Sequence, residues 1–299
     1  MIAGVAPAFL TFLIRQFVPE STSWQREKER GSTSHWALRD LIGVALGTLG
    51  PLAIIYLWAI DFSLPTRIVG TLLGLAIALC GYLYPVVRYT RRLEASEPGS
   101  SHLLAGTIPR MLLAAALSGV ALLGSWGAMQ WAPTWADKLT GGQYPAAKSW
   151  TQICSASGAM AGCMLAALAA GWFSRRATYR LICVAAFASI LLMYRTNHEF
   201  DARLLACVFV AGMCSASFYG WLPLYLPELF HTNVRATGQG FGYNFGRILA
   251  AIGTLQTGNL MARFGGDYAV ACSVMSFIYI VGFFLIQFAP ETRNRPLPE

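Results

Sequence analysis

Arg247 is the residue whose type and position most demand a chemical reason. It lies about ten residues into an apolar run, 237–261, and no other Lys, Arg, Asp or Glu sits well inside such a run. A charge at the centre of a bilayer costs roughly 2.5–3.5 kcal/mol on insertion scales, so it must reach water, a partner or a ligand. Two readings are open. The guanidinium snorkels or bonds backbone carbonyls near the end of its helix, or it binds an anion such as a substrate carboxylate. Tyr243 at i−4 and Asn244 at i−3 share roughly its helical face.

A second group lies in the run 111–132. Trp126 and Gln130 are four residues apart, hence on one face of a helix. An amide in hydrocarbon needs a hydrogen-bond partner, so Gln130 points to a polar cavity. Trp131 and Trp135 fall near a membrane interface, where Trp is enriched. Tyr219, Trp221 and Tyr225 either line a cavity or pack at an interface. Glu228 and Arg235 flank a short turn, as two solvated charges or as an ion pair that closes the ends of two helices.

Other chemistry lacks its residues. The 14 acidic side chains all lie in loops or at run edges, so no group suited to carrying a proton within the membrane is evident. The seven cysteines sit inside apolar runs with no C-x-x-C pair, and read as small packing residues. The four histidines show no ligand spacing. No metal, no cofactor and no nucleophile–base pair is expected, which argues against an enzyme. The net charge of +8 comes with no basic helix and no aromatic–basic interleaving, so nucleic acid is not an expected partner.

The elements that must hold these residues are set by hydropathy. The chain has 299 residues, 56% hydrophobic and only 12% charged, with a mean hydropathy of +0.51. Soluble domains carry roughly 25% charged residues. Here the charges cluster between apolar runs of roughly 20 residues, the length of a bilayer-spanning helix. The runs fall at 1–18 (short), 41–60, 67–87, 111–132, 152–173, 178–194, 204–226, 237–261 and 268–289. The expectation is an all-α integral membrane protein with the lipid bilayer as its solvent.

Charge sets the orientation. If 19–39 is cytoplasmic, alternation puts some fifteen basic residues on that side, among them Arg39, Arg88, Arg91, Arg110, Arg175, Arg176 and Arg235. About six face outward: Arg67, Lys138, Lys148, Arg195, Arg203 and Arg263. That is the positive-inside bias, with a cytoplasmic C-terminus. The expected layout is the end of one helix at 1–18, a cytoplasmic linker at 19–40, a helix pair at 41–87, a second linker at 88–110, a six-helix block at 111–289 and a tail at 290–299. Residues 1–18 lack the basic n-region of a signal peptide and look like the tail of a membrane helix that begins upstream. Phe17-Val-Pro-Glu-Ser21 and Phe288-Ala-Pro-Glu-Thr292 stop two apolar runs in the same way, as an internal repeat would.

The most specific segment is Tyr225-Leu-Pro-Glu-Leu-Phe-His-Thr-Asn-Val-Arg-Ala-Thr-Gly-Gln-Gly-Phe-Gly242. With Pro290-Glu-Thr292, it resembles the major facilitator superfamily. There, an E-x-F-P-T-x-x-R-x-x-x-G segment joins the tenth and eleventh helices, and P-E-T or P-E-S follows the twelfth and sixth. This chain has His231 where the family often has Pro. Gly171-Trp-Phe-Ser-Arg-Arg176 is similar to the family's G-x-L-x-D-R-x-G-R-R loop without its acidic residue, which puts the gating role of Arg175 and Arg176 in question. Ser125-Trp-Gly-Ala-Met-Gln-Trp131 and Gly242-Tyr-Asn-Phe-Gly-Arg247 look like the organic-acid and aromatic-acid symporters; two extra central helices resemble the sialate:proton branch, and the sugar porters share the general pattern. The resemblance implies helices seven to twelve of a transporter at 111–289, a missing N-terminal half and an extra pair at 41–87. It implies an alternating-access carrier of a small organic anion, coupled to protons, in an inner (plasma) membrane, with this chain inactive alone. Trp126, Gln130, Tyr219, Tyr243, Asn244 and Arg247 would bind substrate; Glu228, Arg235, Arg175 and Arg176 would gate. The competing expectation is a transporter-derived scaffold or sensor that binds without transporting.

Overall fold

Apolar runs bounded by charge and capping residues become helices because a buried or lipid-facing backbone must satisfy its own hydrogen bonds. The computed structural model describes residues 6–18, 22–29, 37–96 and 106–298, and every regular element among them is helical. Helices α1 (Ala6–Phe17) and α2 (Thr22–Glu29) precede a long pair, α3 (Leu41–Ala59) and α4 (Leu64–Ser96). Then come α5 (Thr107–Gly127), α6 (Ala132–Leu139), α7 (Ala147–Trp172), α8 (Arg175–Thr196), α9 (Ala202–Glu228), α10 (Thr232–Arg263), α11 (Tyr268–Met275) and α12 (Ile278–Leu285). Of the repeat suggested at 17–21, Pro19-Glu-Ser21 lies outside the described residues, as do 30–36 and 97–105 of the two expected linkers.

Seven stretches are long and apolar enough to cross a membrane: Leu38–Ala59, Leu64–Ala95, Thr107–Leu139, Ala147–Trp172, Arg175–Thr196, Ala202–Glu228 and Tyr268–Phe288. The expected span 237–261 lies inside α10, whose 32 residues suffice in length. It is more polar than the other seven, because it carries Gln239, Asn244, Arg247, Gln256 and Asn259.

Several boundaries differ from the sequence reading for local reasons. α4 runs on to Ser96 rather than stopping at 87, since Arg88, Arg91, Arg92, Leu93, Glu94 and Ala95 are mostly good helix formers and Arg92 is tied back to Asp40. The expected linker 88–110 is therefore helical at both ends, and the linker 19–40 contains α2. The run 111–132 is not one helix. α5 stops at Gly127, a 3-10 turn spans Met129–Trp131, and α6 restarts with Pro133 in its first turn, where a missing N–H is harmless. The last run breaks likewise at Ser276 and Phe277, between α11 and α12.

Side-chain caps fix three helix starts. Ser174 accepts from the Ala177 amide at 3.1 Å, Asp201 from Leu204 at 2.8 Å and Asp267 from Val270 at 3.1 Å. Two seams then hold the bundle. In the α7–α9 seam a Cβ on Gly158 would lie 2.1 Å from the Phe209 carbonyl oxygen, and one on Gly162 would lie 2.0 Å from that of Met213. Only glycine lets these backbones touch. In the α5–α10 seam, Gly242 and Gly246 meet Ala114 and Ser118 in the same manner.

Between the seams sits an aromatic core. Tyr179 packs on Phe218 and Trp221 at ring distances of 5.1 and 4.8 Å, and Trp221 stacks on Tyr225 at 4.6 Å. The Tyr179 hydroxyl donates to the Leu117 carbonyl at 3.0 Å, and that of Tyr194 to Ala128 at 2.8 Å. Trp221 and Tyr225 are fully buried here, so they are core and not cavity wall. Trp135 is also buried, 4.8 Å from the Tyr194 ring, and is not part of an interfacial belt.

Candidate functional site

The bundle leaves one polar face uncovered, and the expected binding residues lie along it. A groove of about 340 Å³ runs between α5, α7 and α9, lined by Ser125, Trp126, Gln130, Gln152, Ser155 and Tyr219. A second, of about 530 Å³, lies between α9 and α10, lined by Tyr219, Pro223, Gln239, Gly240, Tyr243 and Asn244. Tyr219 belongs to both. Trp126 and Gln130 do share a face, although the helix breaks between them; both are exposed.

Arg247 lies one turn beyond Tyr243 and Asn244 on α10. Its guanidinium carbon sits 4.8 Å from the centre of the Tyr243 ring, and Nη1 donates to Asn244 Oδ1 at 3.3 Å. Asn244 Nδ2 in turn donates to the Gly240 carbonyl at 2.9 Å. The cation is thus held by a ring face and an amide, while its side chain stays exposed on the open face. A guanidinium has five donors in a fixed fork. One is used by Asn244, so most of the fork remains for a ligand.

At one end of the bundle a separate charge cluster joins α8, α9 and the tail. Arg175 grips both oxygens of Glu228, Nε to Oε2 at 2.9 Å and Nη2 to Oε1 at 2.5 Å. Both side chains are about 15% exposed. Thr292 Oγ1 donates to Glu228 Oε2 at 2.6 Å, and Arg176 Nε to the Ala289 carbonyl at 2.5 Å. Arg175 and Arg176 therefore act at the same cluster, through different atoms. The expected pairing of Glu228 with Arg235 is not what forms. Arg235, in the first turn of α10, instead donates to the carbonyls of Phe230 at 3.2 Å and Pro298 at 2.6 Å.

Glu291 is the functional candidate that sequence reasoning left out of the site, although the Pro290-Glu-Thr292 motif contained it. Its carboxylate caps the start of α8, accepting from the amides of Arg175 at 2.9 Å and Arg176 at 3.2 Å. A helix N-terminus favours an anion there. Burial acts to raise its pKa, but the amides of Arg175, Arg176 and Arg293 outweigh that and hold it below its ordinary value. A carboxyl whose folded pKa is depressed contributes stability above its unfolded pKa and loses it as pH falls through the folded one. Thermal stability of the protein in detergent is therefore expected to drop on acidification below about pH 4.5, and Glu291→Gln is expected to flatten that limb. An unchanged acid limb in the variant would remove Glu291 from this role. Gln152, Ser155 and Gln239 were also not singled out; their only signal was an amide or hydroxyl within a mainly apolar run.

Comparison with known proteins gives a consistent picture. The profile of the family described as Sugar (and other) transporter matches residues 62–294. A putative metabolite transport protein of Haemophilus influenzae is 27% identical over 182 residues, covering 60% of this chain and 44% of that protein. A probable 4-methylmuconolactone transporter of Cupriavidus pinatubonensis is 30% identical over 184 residues, 60% of this chain and 42% of that one. The cis,cis-muconate transport protein of Acinetobacter baylyi is 27% identical over 172 residues, 57% and 40% respectively. The matches span less than half the length of these curated relatives.

Proposed function

The chain belongs to the sugar (and other) transporter family of the major facilitator superfamily, and from that premise we propose that α5 to α12 form one half of an alternating-access carrier of small organic anions. The observation that carries the reading is the open polar face: Arg247 held by Tyr243 and Asn244, beside grooves that meet at Tyr219. In such carriers the substrate sits near the midplane between two helical halves. A second half would cover this face and close the site. Relatives named for muconate and a muconolactone favour a carboxylate or its lactone over an uncharged sugar. Arg247 supplies the charge for it, while Trp126, Gln130, Tyr219, Tyr243 and Asn244 shape the walls.

Proton coupling, in this reading, uses a carboxylate of the other half, since the Asp and Glu of the described spans here (Asp40, Glu94, Asp137 and Glu228) stand near span ends and not at mid-span. The protein sits in an inner (plasma) membrane with the Arg175–Glu228 end and the C-terminus cytoplasmic. Arg175, Arg176, Glu228 and Glu291 latch that end when the carrier is open to the outside; Arg235 fastens the tail through Pro298.

The test is uptake by cells making the chain alone and together with the N-terminal six helices of a relative. Labelled cis,cis-muconate and labelled glucose are compared. Uptake of the dicarboxylate only when both halves are present is expected. Glucose uptake without dicarboxylate uptake would overturn the anion assignment, and dicarboxylate uptake by the chain alone would overturn the need for a second half.

A further inference from the structure

The helix pair α3–α4 plays no part in the site described above, yet it carries a groove of about 650 Å³. Its floor is glycine: Gly43, Gly47 and Gly81, where the two helices cross so closely that a Cβ on Gly81 would lie 2.4 Å from the Gly47 Cα. Its walls are apolar and exposed, formed by Ile42, Leu46 and Ile77, which are 63, 57 and 48% exposed. At one end stand Arg39 and Arg88, with Tyr84 beside them. From Ile77 to Arg88 the groove follows α4 for roughly 16 Å at the helical rise per residue.

Among the described residues the cations at this end outnumber the one carboxylate beside them. Asp40 is the carboxylate next to both arginines, and it is 3% exposed and bound to Arg92 by a two-pronged pair. Arg39 remains exposed, and the Arg88 Nε is shielded from solvent with no acceptor among the described residues. A cationic mouth on an apolar groove complements one kind of molecule, an anionic head joined to a hydrocarbon chain. We propose that the α3–α4 groove binds an anionic phospholipid, its phosphodiester between Arg39 and Arg88 and one acyl chain along the glycine floor. Basic pockets between membrane helices on the cytoplasmic side hold acidic lipid heads by the same forces. Arg88, rooted in α4 with its apolar stem along the groove, reaches the headgroup layer as long basic side chains do. A second copy of the chain would have to bury both arginines against its own surface, so it is the weaker fit.

The experiment uses the full chain purified in mild detergent, loaded with dioleoyl phosphatidylglycerol or dioleoyl phosphatidylcholine and examined by native mass spectrometry. The wild type is expected to retain phosphatidylglycerol about tenfold over phosphatidylcholine. Arg39→Gln with Arg88→Gln is expected to lose that preference, whereas Arg91→Gln, an exposed cation outside the groove, keeps it. Cys80→Phe fills the groove from an exposed position while leaving both arginines, and is expected to lose retention of either lipid. Free glycerol 3-phosphate is expected not to compete. Equal retention in the wild type and the double variant, competition by glycerol phosphate, or a dimer mass that excludes lipid would each overturn the proposal.

Discussion

Arg247→Ala is expected to lower organic-anion uptake at subsaturating substrate by about 10²-fold, with membrane insertion and helix content unchanged. Hydrogen bonds to a charged group contribute roughly 1.5–3 kcal/mol, and each 1.4 kcal/mol is tenfold, so one bidentate carboxylate contact spans roughly 10- to 150-fold. The upper part of that range applies because the guanidinium is already oriented by Asn244 at 3.3 Å and by the Tyr243 ring, so little ordering remains for the ligand to supply. Arg247→Lys keeps the charge and loses the planar fork, and is expected to fall between the two. Tyr243→Phe retains the ring face and is expected to stay near wild type, while Tyr243→Ala releases the guanidinium and raises KM. Because Arg247 is exposed in this structure, its loss leaves no buried cavity, which is why folding is expected to be spared. Equal uptake by wild type and Arg247→Ala would take the residue out of the site.

The second large effect is at the Arg175–Glu228 clasp. Removing one member of a buried ion pair strands the other, at a cost of roughly 3 kcal/mol. Here both side chains are largely buried, and Glu228 also accepts from Thr292. Arg175→Gln and Glu228→Gln, singly, are each expected to lower thermal stability and to raise the reactivity of a cysteine introduced at this end toward water-soluble thiol reagents. The double variant is expected to recover part of the loss, since neither charge is then stranded, and a double-mutant cycle reads the coupling directly. Glu228→Gln with Arg235→Gln is expected to be additive, because Arg235 bonds carbonyls of Phe230 and Pro298 instead. Strong coupling between Glu228 and Arg235, with none to Arg175, would contradict the geometry.

The difference between those two pairings shows what the sequence could and could not carry. Glu228 and Arg235 are seven residues apart and share a motif, so they attract a pairing; Arg175 is fifty-three residues from Glu228 and reaches it only because α8 and α9 pack side by side. Local spacing cannot express that. The apolar runs were legible because a bilayer demands length and oiliness, and the helices follow them closely from α7 to α10. The break at Gly127 was not, since no proline lies within the run before Pro133 and glycine is common in membrane helices.

Site residues divide in the same way. Tyr243, Asn244 and Arg247 were legible as a face because all three lie on one unbroken helix. Trp221 and Tyr225 were ambiguous because in a membrane both the core and the lipid face are apolar, so periodicity does not separate them from Tyr219. Gln152 and Ser155 were hidden because a single polar side chain in a span gives no sign of which neighbour it meets. Tertiary packing, not composition, gathered these residues around two grooves.

The decisive measurement is ligand protection at residue 244. Asn244→Cys, with the seven native cysteines replaced and the second half present, is exposed to a water-soluble maleimide with and without cis,cis-muconate. Slowing of alkylation by about tenfold in the presence of the dicarboxylate, abolished when Arg247→Ala is added, is the expected result. Alkylation that proceeds at one rate whether or not the dicarboxylate is there would contradict a substrate-facing α10.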